Sequence, residues 1–128
     1  MKYRGLYCFT TNIIGIPHLI AFSTSQNISE WKNITLVCNG TGNPIPSIIW
    51  LKDGNIINNL TSDYTLSNQR KMLTIRNASL HDEGSYQCLL KNTVGQITSP
   101  ATMITIFSKK IIHFVMLIVL YICSVYVI

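Results

Sequence analysis

Acidic side chains are scarce in this chain: five carboxylates stand against ten lysines and arginines in 128 residues, and charged residues make up only 12% of the total. The resulting charge of +5 is nowhere gathered. Lys2, Arg4, Lys32, Lys52, Arg70, Lys71, Arg76, Lys91, Lys109 and Lys110 are dispersed. With no basic helix and no patch interleaved with aromatics, nucleic acid is excluded as a partner class. His18, His81 and His113 have no cysteine or carboxylate at metal-ligand spacing, so neither a metal site nor a cofactor is expected. The serines lack a nucleophile motif, and the central part of the chain has no stretch with the period of an amphipathic helix. These absences argue against an enzyme and leave a binding module.

Apolar residues form 48% of the chain and crowd its two ends. Residues 111–128, IIHFVMLIVLYICSVYVI, are interrupted only by His113 and Ser124. At about 1.5 Å per residue such a run crosses most of a bilayer core, so a single transmembrane helix is expected here, entering after Lys109 and Lys110. Cys123 is then a small apolar residue within the span, and His113 lies near the interface. A glycolipid-anchor signal is the rival reading, but Ser108 followed by two lysines gives too short a polar spacer.

The N-terminal end also has two readings. Residues 1–23 have the layout of a signal peptide: Lys2 and Arg4 begin it, an apolar middle follows, and Ala21-Phe22-Ser23 places small residues for cleavage after Ser23. Thr10, Thr11, Asn12, Pro17 and His18 interrupt the apolar middle. Alternatively GLYCFTTNIIG, residues 5–15, is the tail of a preceding domain, because Cys8, Asn12 and Gly15 repeat the spacing of Cys88, Asn92 and Gly95. Between the ends lie five Asn-x-Ser/Thr triplets, at Asn27, Asn33, Asn39, Asn59 and Asn77, none with proline in the middle. They are candidate N-glycosylation sites and point to a lumenal, extracellular chain.

The central segment alternates. In NITLVC, Ile34, Leu36 and Cys38 share one parity and Asn33, Thr35 and Val37 the other, the pattern of a strand with one face buried. SIIWLK puts Ile48 and Trp50 inward in the same way, MLTIRN does so with Leu73 and Ile75, and ATMITIF with Ile104 and Ile106. NGTGNPIP is loop punctuation, and KDGN supplies a tight turn at Asp53 and Gly54. HDEGSYQC sets Asp82, Gly84, Tyr86 and Cys88 on one parity after a corner carrying Ala78 and Leu80. The whole predicts an all-β sandwich of about seven strands.

Cys38, Trp50, Leu73-x-Ile75, Ala78, Asp82-x-Gly84-x-Tyr86-x-Cys88 and Asn92-x-x-Gly95 together resemble an immunoglobulin-like domain of the intermediate set, over roughly residues 26–107. The phrases GNPIPSIIWLKDG and LTIRNASLHDEGSYQC are similar to domains of growth-factor receptor tyrosine kinases of the vascular endothelial type and of neural adhesion proteins. The resemblance implies a two-sheet sandwich stapled by a Cys38–Cys88 disulfide, with Trp50 packed against the bond. It also implies that the Tyr86 hydroxyl turns back to the backbone at the corner and that Gly84 leaves room there. Asp82 is expected to accept hydrogen bonds at the corner or to pair with Arg70.

The implied function is cell-surface recognition or adhesion: a single-pass plasma-membrane protein whose extracellular domain binds another extracellular protein or a homophilic immunoglobulin-like partner. An ectodomain fragment of a growth-factor receptor and an auxiliary subunit of a channel or receptor complex are the alternatives. Carbohydrate would mask part of the surface, so a face without acceptor asparagines is where a partner is expected.

Overall fold

The computed structural model describes residues 14–58, 60 and 63–126, apart from the side chains of residues 109, 111 and 112. The alternating segments become strands. β3 (Ile34–Asn43), β4 (Ser47–Lys52), β7 (Met72–Ile75), β8 (Gly84–Lys91) and β10 (Thr102–Phe107) follow the expected pattern. They are joined by β1 (Gly15–Phe22), β2 (Gln26–Ser29), β5 (Asn55–Ile56), β6 (Tyr64–Ser67) and β9 (Gln96–Thr98). One sheet has the order β1-β3-β7-β6, the other β2-β10-β8-β4-β5 with β9 beside β8. Period-two burial does the folding work: Ile34, Leu36, Cys38, Ile48, Trp50, Leu73, Ile75, Tyr86, Cys88, Leu90, Ile104 and Ile106 all point between the sheets.

The described residues thus hold ten strands rather than about seven. The last strand is divided because Pro100 has no N–H to give a ladder, leaving β9 and β10 as separate pieces. β5 is a two-residue strand that the KDGN turn folds back onto β4.

The largest departure is at the N-terminal side, where the sandwich was expected to begin near Gln26. Gly15–Phe22, placed by the sequence within a leader ending at Ser23, is instead an edge strand paired antiparallel with β3. Its alternation is broken by register shifts between Gly15 and His18 and between Leu19 and Ala21. Pro17 is fully buried, and an edge strand is where proline is tolerated. Residues 1–13, including Cys8 and Asn12 of the alternative reading, lie outside the described residues, as do Asn59, Val127 and Ile128.

Beyond β10 the apolar run forms helix α1 (Lys109–Tyr126). Its described side chains are exposed, its large apolar ones from Ile118 at 42% to Tyr126 at 81%. Among the described residues, no helix is long and apolar enough to cross a membrane.

Candidate recognition surface

A binding surface on a small sandwich needs a rigid backing. The disulfide between Cys38 and Cys88 joins β3 to β8 across the two sheets, with Cα atoms 6.4 Å apart and 50 residues between them in sequence. Closing such a loop stabilises the fold by roughly 4 kcal/mol on chain-entropy arguments. Trp50 stands opposite Cys88 in the β4–β8 register and is buried. Its indole N–H donates to the Arg70 carbonyl at 2.8 Å, so the polar end of the ring is satisfied. Arg70 therefore serves through its backbone, in a left-handed turn, rather than as the ion-pair partner expected for Asp82.

Asp82 sits in a 3-10 turn (Leu80–Asp82) between β7 and β8. The Tyr64 hydroxyl donates to one of its carboxylate oxygens. The other oxygen accepts from the Ser79 N–H at 2.8 Å and the Ser79 hydroxyl at 3.0 Å. The fully buried Tyr86 donates its hydroxyl to the Asp82 carbonyl at 2.7 Å, as the resemblance implied, and lies 3.2 Å from the Tyr64 hydroxyl. Lys52 donates to the His81 carbonyl and holds its ammonium 5.8 Å from the centre of the Tyr86 ring.

Burial alone would raise the Asp82 carboxyl. Hydrogen bonds from Tyr64 and Ser79, with the charge of Lys52, outweigh burial and hold it below the ordinary carboxylate range. Burial, then hydrogen bonding with Asp82 and Tyr86, raises Tyr64 far above a free phenol. Tyr86 is pushed up to about 12, chiefly by burial.

Gly84 does leave room, but for a residue the sequence did not connect with it. The Asp53 carboxylate comes in from the β4–β5 turn and accepts from the Ser85 N–H at 2.9 Å. Tyr64 and Asp53 are therefore corner residues missed in the sequence, at 18 and 32 residues from the groups they bind.

At the opposite end of β8, Asn92 gathers three segments. Its side-chain amide donates to Gly15 O at 2.8 Å and Pro44 O at 3.0 Å, while its oxygen accepts from Val94 N at 2.9 Å and Gly95 N at 3.0 Å. Nearby, an open cleft of about 400 Å³ is lined by Gly40, Ile45, Pro46, Ile48, Lys71 and Leu90, among others. Among the described residues, no group of three or more His, Cys, Asp or Glu is placed to hold a metal ion.

The outer faces divide unequally between acceptor asparagines and apolar residues. Asn39 stands opposite Ala21 on β3, and Asn33 precedes that strand and accepts from the Asn77 N–H at 3.1 Å. These three asparagines thus cluster on and beside the β1-β3-β7-β6 sheet. Asn27 lies on β2, opposite Thr105, at the margin of the other sheet. That larger sheet has no acceptor asparagine on its strands β8, β4 and β5, and Asn59, beyond β5, lies outside the described residues. Its outer face sets Ile49 opposite Leu89, and Leu51 opposite both Gln87 and Ile56. Ile56 and Met103 are about half exposed, at 52% and 49%. The parity of β3, β4, β7, β8 and β10 was legible in the sequence; which strands lie side by side was not.

A family model described as an immunoglobulin domain matches residues 16–92. Hemicentin-1 of Mus musculus is 36% identical over 90 residues, 69% of this chain and 2% of that protein. Neural cell adhesion molecule 1 of Bos taurus is 35% identical over 85 residues, 66% of this chain and 10% of that protein. The chain thus spans only a small part of these relatives. Among solved structures, the tandem Ig repeats of Dlar align with a TM-score of 0.70 at 25% identity, covering 79% of this chain and 53% of that one.

Proposed function

Because the chain belongs to the immunoglobulin domain family, we propose that it is an extracellular recognition and adhesion module, not an enzyme, and that it binds a protein partner through the outer face of β8, β4 and β5. One observation carries this reading: the apolar group Ile49, Leu51, Ile56, Leu89 and Met103 lies on β10, β8, β4 and β5, strands with no acceptor asparagine. A protein made in the secretory pathway would carry carbohydrate mainly on the opposite sheet, leaving this face open. Similarity to a protein named as a neural cell adhesion molecule supports the same class, with another extracellular protein or a second immunoglobulin domain as the partner. Fold alone does not choose between those two.

Membrane attachment is part of the proposal. It rests on the whole apolar run, 111–128, since the described part of α1 falls short of a full span. A helix apolar on all sides has no stable place in water. Seated in lipid, it would hold the immunoglobulin domain on the outer side of the plasma membrane as a single-pass protein. The rest of the reading follows from this placement: the disulfide is kept in an oxidising compartment, and Asn27, Asn33, Asn39 and Asn77, with Asn59, are reachable by the glycosylation machinery.

The test uses beads coated with the ectodomain, applied to each other and to cells. Aggregation or cell binding that is lost in Ile49→Asp and Leu89→Asp, while the variants keep wild-type unfolding curves, supports the reading. Retained binding in both variants would remove this face from consideration. Resistance of the full chain to alkaline extraction from membranes tests the attachment separately.

A further inference from the structure

Trp31 is 69% exposed, the opposite of Trp50 in the core. Its backbone takes a left-handed angle, φ 70°, which a bulky residue adopts only against steric resistance. The surrounding chain holds it there. Trp31 N–H donates to Ala78 O at 2.8 Å, Ala78 N–H donates to Lys32 O at 2.9 Å, and Lys32 N–H donates to Ser29 O at 3.4 Å. The backbone that presents the ring is therefore held by three hydrogen bonds.

The strand register says where this ring lies. β2 and β10 run parallel, with Phe107 opposite Ser29, and Glu30 N–H donates to Phe107 O at 3.0 Å. Both strands leave the sheet at the same level and in the same direction. Two residues beyond that pair lie Trp31 on one strand and Lys109, the start of α1, on the other. At about 3.3 Å per extended residue, each is within roughly 7 Å of the level of the last pair. The same end carries Leu80, 43% exposed, in the turn tied to Trp31 through Ala78, together with the exposed cations Lys32 and Lys110.

We propose that this end of the sandwich, with Trp31 at its tip, rests on the lipid surface from which α1 emerges, so that the indole sits among the headgroups. The proposal rests on the membrane attachment argued above and adds a second contact to it. An indole combines a broad apolar face with one N–H donor, which suits the boundary between headgroups and acyl chains. Lys32 and Lys110 supply charge complementary to acidic lipids at an end that also carries Glu30 and Glu83. The consequence is orientation: a domain held at two points cannot swing freely about the junction at Ser108, and the outer face of β8 and β4 stands at a set angle to the membrane. The asparagines Asn33 and Asn77 flank the same tip, so carbohydrate on them is the competing occupant.

The experiment reconstitutes the full chain from secretory cells into nanodiscs of phosphatidylcholine and phosphatidylserine, with and without acyl chains brominated near the headgroup. The same is done with Trp31→Phe, so that the difference between the two reports Trp31 alone. The expected result is quenching of most of the Trp31 emission by brominated lipid, and protection of Trp31 from aqueous acrylamide. Equal quenching of wild type and Trp31→Phe, with α1 still protected from protease, overturns the surface contact but leaves the attachment standing. Failure of the chain to enter nanodiscs at all overturns both. Quenching that appears only after enzymatic glycan removal also overturns the proposal and makes carbohydrate the occupant of the tip.

Discussion

Gly84 and Asp53 exclude one another's growth: a Cβ added to Gly84 would stand 2.8 Å from both Asp53 carboxylate oxygens, and Gly84 holds φ +152°, where a side chain is strained. The turn after β4 and the start of β8 are thereby locked together through the Asp53 bond to Ser85 N–H. Gly84→Ala is expected to cost about 2 kcal/mol through strain and displacement of Asp53. The shift in the urea unfolding midpoint measures it, and an unchanged midpoint would show that Asp53 moves aside freely.

The corner gives the stability two pH limbs of opposite sign. Asp82 is lowered in the folded state from its ordinary 3.8, so its contribution is present above that value and is lost as pH falls through the folded value. Tyr86 is raised from 10.0 to about 12, so its contribution is complete below pH 10 and fades as pH climbs toward 12; Tyr64, also raised, acts in the same direction. Unfolding midpoints measured from pH 2 to 11 should therefore fall at both ends. Tyr64→Phe removes a donor to Asp82 and should flatten the acid limb, at a cost of about 1–2 kcal/mol near neutrality.

Asn92 makes four side-chain hydrogen bonds to backbone groups of Gly15, Pro44, Val94 and Gly95. Asn92→Ala is expected to cost about 2 kcal/mol, since several partly buried backbone groups lose their partner. Asn92→Asp keeps the two accepting bonds and loses the two donating ones, so it should fall between. Amide hydrogen exchange should quicken first around the β8–β9 turn and in β1, whose Gly15 carbonyl Asn92 holds.

β1 supplies the buried Pro17 and sets Leu19 against the core. A chain beginning at Thr24, as cleavage after Ser23 would leave it, lacks that strand. Its thermal midpoint should drop by several degrees relative to a chain beginning at Ile14. Equal midpoints would make β1 dispensable. Sequencing the N-terminus of the protein made by secretory cells would then show which form cells retain.

Sequence patterning carried much of the fold because the alternation is strict where both flanking strands bury one face: Ile34, Leu36 and Cys38, or Leu73 and Ile75, could face only inward. β1 was hidden because Pro17 and His18 break alternation, and an edge strand with register shifts can accept the break. Tyr64 and Asp53 were illegible as corner residues for another reason. Their partners are distant in sequence, and nothing local distinguishes a tyrosine or aspartate that will meet them. The outer face of the larger sheet needed the pairing of β4 with β8 and β5, which parity cannot supply. Trp31 gave no signal either, since its exposure depends on one left-handed backbone angle.

The parallel register of β2 with β10 contrasts with the antiparallel pairing of the other strand pairs among the described residues. Tension applied between the N-terminal end of β2 and the C-terminal end of β10 would run along two parallel neighbours. The load would fall along both strands in opposite senses, so the hydrogen bonds between them would share it in shear rather than opening one after another. A domain built this way resists tension applied along those two strands.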